Sequence, residues 1–166
     1  MHLLTCICLA SINLNLFAMS SYRQLFYHIL FRTKDSEPTI NPENDQYLYA
    51  YITGIITNKE GHLYRINGVD DHLHICTDIH ASFAVADIVR DIKSNSSSWM
   101  KESGLFPKFK GWSEGYGAFT VSYRNIGTLI EYIKSQKVHH GMVSFEDEYR
   151  ELLREEGVDI DERFFP

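Results

Sequence analysis

The chain has 166 residues, of which 44% are hydrophobic, 13% aromatic and 23% charged, and its formal net charge is −6. This length and composition indicate one soluble domain with a core of its own, and no apolar run approaches the roughly 20 residues that span a bilayer. The odd number of cysteines argues against a disulfide framework, and Cys6 and Cys8 lack the partners of a zinc site.

Charged side chains are unevenly distributed along the chain. Residues 86–140 carry 8 basic and 5 acidic side chains, whereas residues 141–166 carry 3 basic and 9 acidic ones. The negative net charge at first argues against a nucleic-acid partner. The basic surplus at 86–140 still permits phosphate contacts, although runs of charge are more often a solvated surface.

The first 18 residues differ from the rest, because they are largely apolar and contain no Lys, Arg, Asp or Glu. The basic segment that opens a secretory signal peptide is missing. Since Met19 follows directly, we expect residues 1–18 to come from an over-called start codon, with a cleaved leader as the alternative. The remainder shows no linker or repeat, so we expect one domain over residues 19–166.

Four elements are predicted in the first half of the chain. Residues 25–31 are aromatic and β-branched, which indicates a strand buried on both faces. Apolar residues at helical spacing predict a helix over 44–58. Two short strands follow over 62–66 and 69–77, with the Asn-Gly pair at 67–68 as their turn, because both residues tolerate a positive φ.

The second half continues with helices over 82–101 and 125–138 and a strand over 115–121 between them. Ser144-Phe145-Glu146-Asp147 resembles a capping box with Asp in place of Glu, and it predicts a last helix that ends at Gly157. The order β-α-β-β-α-β-α-α predicts an α+β fold, in which helices cover one face of an antiparallel sheet.

Two histidines stand out in the returning strand of the hairpin. His72 and His74 are two residues apart and share one face, while Leu73 and Ile75 point to the core. Two imidazoles on one face are a natural pair of metal ligands. For an isolated His-x-His the simpler alternative, two half-exposed histidines without a metal, is the commoner case.

A tyrosine and a glutamine lie four residues apart on the third predicted helix. Tyr132 and Gln136 therefore share a face, which we expect to point away from the apolar residues Ile126, Ile130 and Ile133. Taken alone, Tyr132 is more simply interpreted as an ordinary surface tyrosine.

Metal ligands and a tyrosine suit the cleavage of a phosphodiester. A phenol with a pKa of about 10 is barely ionised at neutral pH, so it needs help to attack phosphorus. A divalent cation on His72, His74 and the Gln136 carbonyl oxygen would withdraw charge from the phosphate. Attack by tyrosine conserves the bond energy in a phosphotyrosine, so that later rejoining needs no ATP.

From Tyr27 onward the sequence resembles the HUH-type single-tyrosine transposases of bacterial insertion sequences, the insertion-sequence-200-like transposases. The similarity covers nearly everything after Met19, and its motifs occur in the family's order. These motifs are YHILFRTK (27–34), INGVDDHLHI (66–75), VRDIKSNSS (89–97), GWSEGYGAFTVS (111–122), YIKSQKVHH (132–140) and SFEDEYRELLREEGVDIDERF (144–164).

The resemblance implies a ferredoxin-like fold and a homodimer that acts on single-stranded DNA with hairpins at the element ends. Tyr132 would be the nucleophile that forms a 5′-phosphotyrosine and frees a 3′-OH. His72, His74 and Gln136 would hold Mg²⁺ or Mn²⁺, and active sites in the family can combine residues of two subunits. A bacterial cytoplasmic location follows, with no membrane partner.

One departure concerns the residues after Lys34, where the family often continues with basic residues and this chain has Asp35-Ser36-Glu37. A domesticated or inactive relative that binds hairpin DNA without strand transfer is one alternative function. A metal-dependent hydrolase that uses water, with Tyr132 incidental, is another. The candidate DNA contacts, each of which is also compatible with a solvated surface, are Arg32, Lys34, Lys93, Lys108, Lys110, Arg124, Lys134 and Lys137.

Overall fold

A computed structural model describes residues 22–139, 144–163 and 165. The prediction for residues 1–18 falls outside this part of the chain. No helix within the described ranges is long and apolar enough to cross a membrane.

The architecture is a four-stranded sheet with helices packed on it. The strand order is β2-β3-β1-β4, and each neighbouring pair runs antiparallel, which confirms the predicted α+β, ferredoxin-like fold. Two short 3₁₀ helices, Lys34–Ser36 and Tyr123–Asn125, flank the central elements. The main elements are β1 (Phe26–Arg32), α1 (Asp45–Asn58), β2 (Leu63–Gly68), β3 (His72–Asp78), α2 (Val85–Ser103), β4 (Gly117–Val121), α3 (Ile126–His139) and α4 (Phe145–Glu155).

One face of the sheet forms the main core with α1 and α2. The register pairs Ile29 with Ile75 and Phe31 with Leu73, so these four apolar side chains lie on the same face. They pack in one cluster with apolar residues of α1 and α2, such as Ile52. The predicted orientation of Leu73 and Ile75 towards the core is therefore confirmed.

The opposite face of the sheet is also covered, by α3 and α4. Cys76 packs with Ile126 and Ile133 of α3. Leu30 packs with apolar residues of α4, among them Phe145 and Leu153. The expectation that helices cover only one face was wrong, because β1 and β3 are buried on both faces and each face needs its own layer.

The turn of the β2–β3 hairpin lies after the predicted Asn-Gly pair rather than at it. Asn67 and Gly68 lie within β2, paired with His74 and Leu73, and the chain reverses at residues 69–71. Tertiary contacts, rather than turn propensity, explain these two residues, since the Asn67 side chain bonds to α3. A Cβ on Gly68 would lie 2.1 Å from the carbonyl oxygen of His72, so this close backbone approach requires glycine.

The last helix begins as its sequence predicts. The Ser144 hydroxyl oxygen accepts a hydrogen bond from the backbone N–H of Asp147, at 3.2 Å, and the same hydroxyl donates to the Asp147 carboxylate, at 2.7 Å. This cap satisfies an N–H group that has no partner inside the helix. It fixes the start of α4 at Phe145, which lies against the sheet.

Candidate active site

The two histidines of β3 are held by their neighbours so that their Nε2 atoms face α3 and α4. Both side chains are buried, at 0% exposure. The Nδ1 atom of His72 lies 2.6 Å from a carboxylate oxygen of Asp71, and the Nδ1 atom of His74 lies 2.9 Å from Nε2 of His28. Partners on one ring nitrogen fix the ring and leave the other nitrogen to face a metal ion.

The charge state of His28 supports this arrangement. Burial lowers the pKa of His28 to about 4, although the negative charge of Glu148 opposes the shift. A neutral His28 can accept a hydrogen bond from Nδ1–H of His74. In this tautomer the lone pair of His74 lies on Nε2, the nitrogen that faces Glu148.

Helix α3 brings Tyr132 and Gln136 to the same place within a single chain. The Tyr132 ring lies 5.7 Å from the His74 ring, measured between centroids, and Gln136 is fully buried. The two side chains lie on the same face of α3, as predicted. The expected separation of that face from the apolar residues was wrong, because Tyr132 packs beside Ile126 and Ile133 as α3 lies against the sheet.

A fifth side chain, Glu148 of α4, completes the cluster and was missed by the sequence analysis. Its Oε2 atom lies 3.6 Å from Nε2 of His72, and its Oε1 atom lies 3.6 Å from Nε2 of His74. Oε1 also accepts hydrogen bonds from the Tyr132 hydroxyl and, at 2.6 Å, from Nε2 of Gln136. Glu148 therefore touches all four residues that the sequence singled out.

A sequence signal for Glu148 existed. Positions 145, 148, 149, 152 and 153 follow the i, i+3, i+4, i+7, i+8 pattern of a buried helix face, and four of them are apolar or aromatic. Glu148 is the polar exception on that face. Its side chain is 14% exposed.

The cluster fits a divalent cation. Ligand atoms of His72, His74 and Glu148 all lie within 4.8 Å of one another. Imidazole and carboxylate are common donors for such ions. In addition, Oε1 of Gln136 is buried and has no hydrogen-bond partner among the described residues. These four side chains could hold the ion that the resemblance implies.

The Tyr132 phenol is protonated in this arrangement. Burial, the hydrogen bond to Glu148 and the negative charge of that carboxylate raise its pKa, and these effects outweigh the opposite influence of Gln136. A neutral phenol is a weak nucleophile, so attack on phosphorus requires a positive charge nearby or the transfer of its proton.

The predicted DNA contacts fall into several places. Lys34, Lys93 and Lys110 line one cleft between α2 and the segment before β4, together with Arg90 and Lys101, which the sequence analysis did not select. We call these five residues the basic cleft. Three of them have protein partners. Lys110 pairs with Glu37, Arg90 pairs with Asp87, and the Lys93 ammonium group donates to two backbone carbonyl oxygens.

The other five candidates lie elsewhere. Arg32 lines a neighbouring pocket with Phe145, and that pocket shares Glu114 and Tyr116 with the basic cleft. Phe145 in turn contacts His72, with ring centroids 4.7 Å apart. Lys108, Arg124, Lys134 and Lys137 do not line the basic cleft, and the last two pair with Glu131 and Asp45.

The sequence from residue 21 to residue 136 matches the family model described as "Transposase IS200 like". The chain belongs to the IS200-like transposase family. The matched range includes His72, His74, Tyr132 and Gln136 and ends before α4. No curated protein matches the chain significantly.

Two solved structures share the fold of this transposase. A candidate transposase from Deinococcus radiodurans R1 is 22% identical, with a TM-score of 0.55, over 70% of this chain and 95% of that one. A REP-associated tyrosine transposase bound to a REP hairpin is 16% identical, with a TM-score of 0.56, over 83% of this chain and 88% of that one.

Proposed function

We propose that this transposase cuts and rejoins single-stranded DNA at transposon ends through a 5′-phosphotyrosine on Tyr132. The observation that carries the proposal is the convergence of Tyr132 and Gln136 on two buried imidazoles, His72 and His74, in one chain. Membership of the family supports the same function. Because the substrate is DNA of a bacterial element, we place the protein in the bacterial cytoplasm.

The chemistry is a pair of transesterifications. The Tyr132 oxygen attacks phosphorus and loses its proton, the bond from phosphorus to the 3′-oxygen breaks, and that oxygen takes up a proton as a free 3′-OH. Attack of a 3′-OH on the phosphotyrosine reverses these changes and rejoins the DNA, so no ATP is consumed. A divalent cation, Mg²⁺ or Mn²⁺, would stabilise the charge that develops on the phosphate.

The protein residues orient the reactants in this scheme. His72, His74 and Gln136 would hold the cation. Asp71 and His28 fix the two imidazole rings. Burial of the histidines keeps their Nε2 atoms away from bulk water, which strengthens electrostatic interactions with the phosphate.

We further propose a homodimer in which each active site is built within one chain. The tyrosine helix α3 packs against the sheet that carries its own histidines. Exchange of that helix between subunits is therefore unnecessary for assembling the site. Light scattering on the purified protein would measure the number of subunits.

Hairpin DNA is the proposed substrate, and the basic cleft is its proposed docking surface. Five cationic side chains on one cleft match the phosphates of a duplex stem, and Trp112 and Tyr116 on the same cleft offer aromatic surface to bases. Arg32 lies between this cleft and His72, so a single strand that leaves the stem can pass Arg32 to reach Tyr132.

Covalent capture tests the proposed function. Single-stranded oligonucleotides that cover the hairpin-forming DNA beside the gene are incubated with the protein and Mn²⁺, and the products are separated on a denaturing gel. We expect a covalent complex that is lost in Tyr132→Phe. Tyr51→Phe is the matched control, because Tyr51 is a half-buried tyrosine of α1 that stacks on Trp99 and does not line the pocket of Arg32.

The two alternatives give different results in the same assay. Hairpin binding without any covalent complex would favour a relative that has lost strand transfer. Cleavage that persists in Tyr132→Phe would show that water is the nucleophile and would refute the proposal.

A further inference from the structure

The carboxylate of Glu148 faces both histidine ligands at once. Each of its two oxygens lies 3.6 Å from the Nε2 atom of a different histidine. Two atoms that each bind one ion at about 2.1 Å can be at most about 4.2 Å apart. Both separations fall below that limit, so one ion can contact the carboxylate and either imidazole.

The amide of Gln136 has its Oε1 atom buried without a hydrogen-bond partner among the described residues, while its nitrogen is turned towards Glu148. Its Nε2 group donates to Oε1 of Glu148 over 2.6 Å. A hydrogen bond of this kind fixes the carboxylate, as the partners of metal ligands commonly do. The carboxylate also brings a negative charge, which a neutral amide oxygen lacks, and Mg²⁺ and Mn²⁺ favour charged oxygen donors.

We propose that Glu148 is a direct ligand of the catalytic cation, together with His72 and His74, and that Gln136 positions the Glu148 carboxylate. This inference rests on the proposed metal-dependent function. It makes α4 part of the metal site, although the matched family range ends at residue 136. The ion then connects β3 to α4, so that metal binding and docking of the last helix stabilise each other.

The first test measures Mn²⁺ binding to the full chain without DNA, by isothermal titration calorimetry. We expect Glu148→Gln to weaken binding at least tenfold, and more than Gln136→Ala does, because it removes a charged ligand while keeping the size of the side chain. Glu146→Gln is the matched control, since it makes the same charge change at an exposed position of the same helix. It should bind Mn²⁺ within twofold of the wild type.

The opposite result overturns the inference. If Glu148→Gln binds Mn²⁺ like the wild type while Gln136→Ala loses affinity, the amide is the ligand and Glu148 is not. Circular dichroism of the metal-free variants checks that each is folded.

A second test needs no substitution. Hydrogen exchange of the wild-type protein is followed with and without Mn²⁺. We expect slower exchange of the backbone amides of α4 when Mn²⁺ is present, because the ion ties this helix to β3. Protection confined to β3 and α3 would overturn the inference.

The role of Glu148 and the proposed strand transfer can each be refuted without refuting the other. A covalent DNA complex combined with unchanged Mn²⁺ affinity in Glu148→Gln would refute the role of Glu148 and leave the transposase proposal intact. Loss of Mn²⁺ affinity in Glu148→Gln, without any covalent complex in the wild type, would refute strand transfer and leave the metal site intact.

Discussion

Asn67 connects the sheet to the helix that carries Tyr132, and its removal should affect both stability and cleavage. The side-chain amide of Asn67 donates to the carbonyl oxygens of Ile133, at 2.9 Å, and Lys134, at 3.2 Å. Asn67 is 6% exposed and is paired with His74 in the sheet. It therefore sets the distance between the tyrosine helix and the histidine strand.

The expected cost of Asn67→Ala follows from these two bonds. A buried hydrogen bond contributes about 1 kcal/mol net. The carbonyl groups of Ile133 and Lys134 lie inside α3 and also accept helical bonds from residues 137 and 138, so the substitution leaves no buried acceptor unpaired. We expect a loss of about 1–2 kcal/mol in the free energy of unfolding.

Asn67→Ala should slow cleavage even under conditions in which the variant is fully folded. A displacement of about 1 Å between reacting groups can slow a reaction by about 100-fold. We therefore expect the rate of covalent complex formation in Asn67→Ala to fall at least tenfold. The rate is measured at saturating DNA and Mn²⁺, under conditions in which urea unfolding shows the variant to be folded.

Asn44→Ala is the matched control for this prediction. Asn44 makes a comparable side-chain bond, 3.0 Å to the carbonyl oxygen of Leu105, away from the histidine face. We expect it to lower stability without slowing covalent capture. The reasoning is refuted if Asn67→Ala destabilises the protein by the expected amount and still forms the covalent complex at the wild-type rate.

Three further predictions concern the metal, the DNA and the subunits. His74→Ala should abolish cleavage while hairpin affinity in a gel-shift assay changes less than threefold; equal loss of both would contradict this division. Replacing Arg90 and Lys101 together by Ala should weaken hairpin binding and make the negative slope of log affinity against log salt shallower by about 0.9 per lost phosphate contact. Lys134→Ala, outside the basic cleft, should leave that slope unchanged, and an equal change there would argue against the cleft. Mixed Tyr132→Phe and His74→Ala subunits should stay inactive, whereas recovery of covalent capture would show that Tyr132 acts on the partner's histidines.

The strand that carries the histidines was predictable because its pattern is local. Alternation along a strand needs no knowledge of the rest of the fold, so His72 and His74 on one face and Leu73 on the other followed from the sequence. The same is true of the Ser144 cap, whose hydrogen-bond partner is three residues away. Both predictions agree with the structure because neighbouring residues determine them.

The turn was placed wrongly because tertiary contacts override local preference. Asn-Gly is a strong turn signal in an isolated hairpin. Here Asn67 is needed by α3, which lies 66 residues further along the chain, and Gly68 is needed where the backbone of β3 comes close. Neither contact can be inferred from the residues around position 67. The helices that cover the histidine face, α3 and α4, are also far from the histidines along the chain, so local sequence patterns did not predict this second layer.

Glu148 shows how a partly buried carboxylate can point to a site before its partners are known. Burying a carboxylate on the inner face of a helix is unfavourable unless hydrogen bonds, a cation or a metal ion compensate for the lost hydration. The pattern of α4 puts Glu148 between Phe145 and Leu152 on that face, so the sequence already requires a partner for it. Only the fold identifies the partners, because α4 meets the sheet through Leu30 and Phe119. A carboxylate that interrupts the apolar stripe of a helix is therefore a candidate functional residue even outside the range of a family motif.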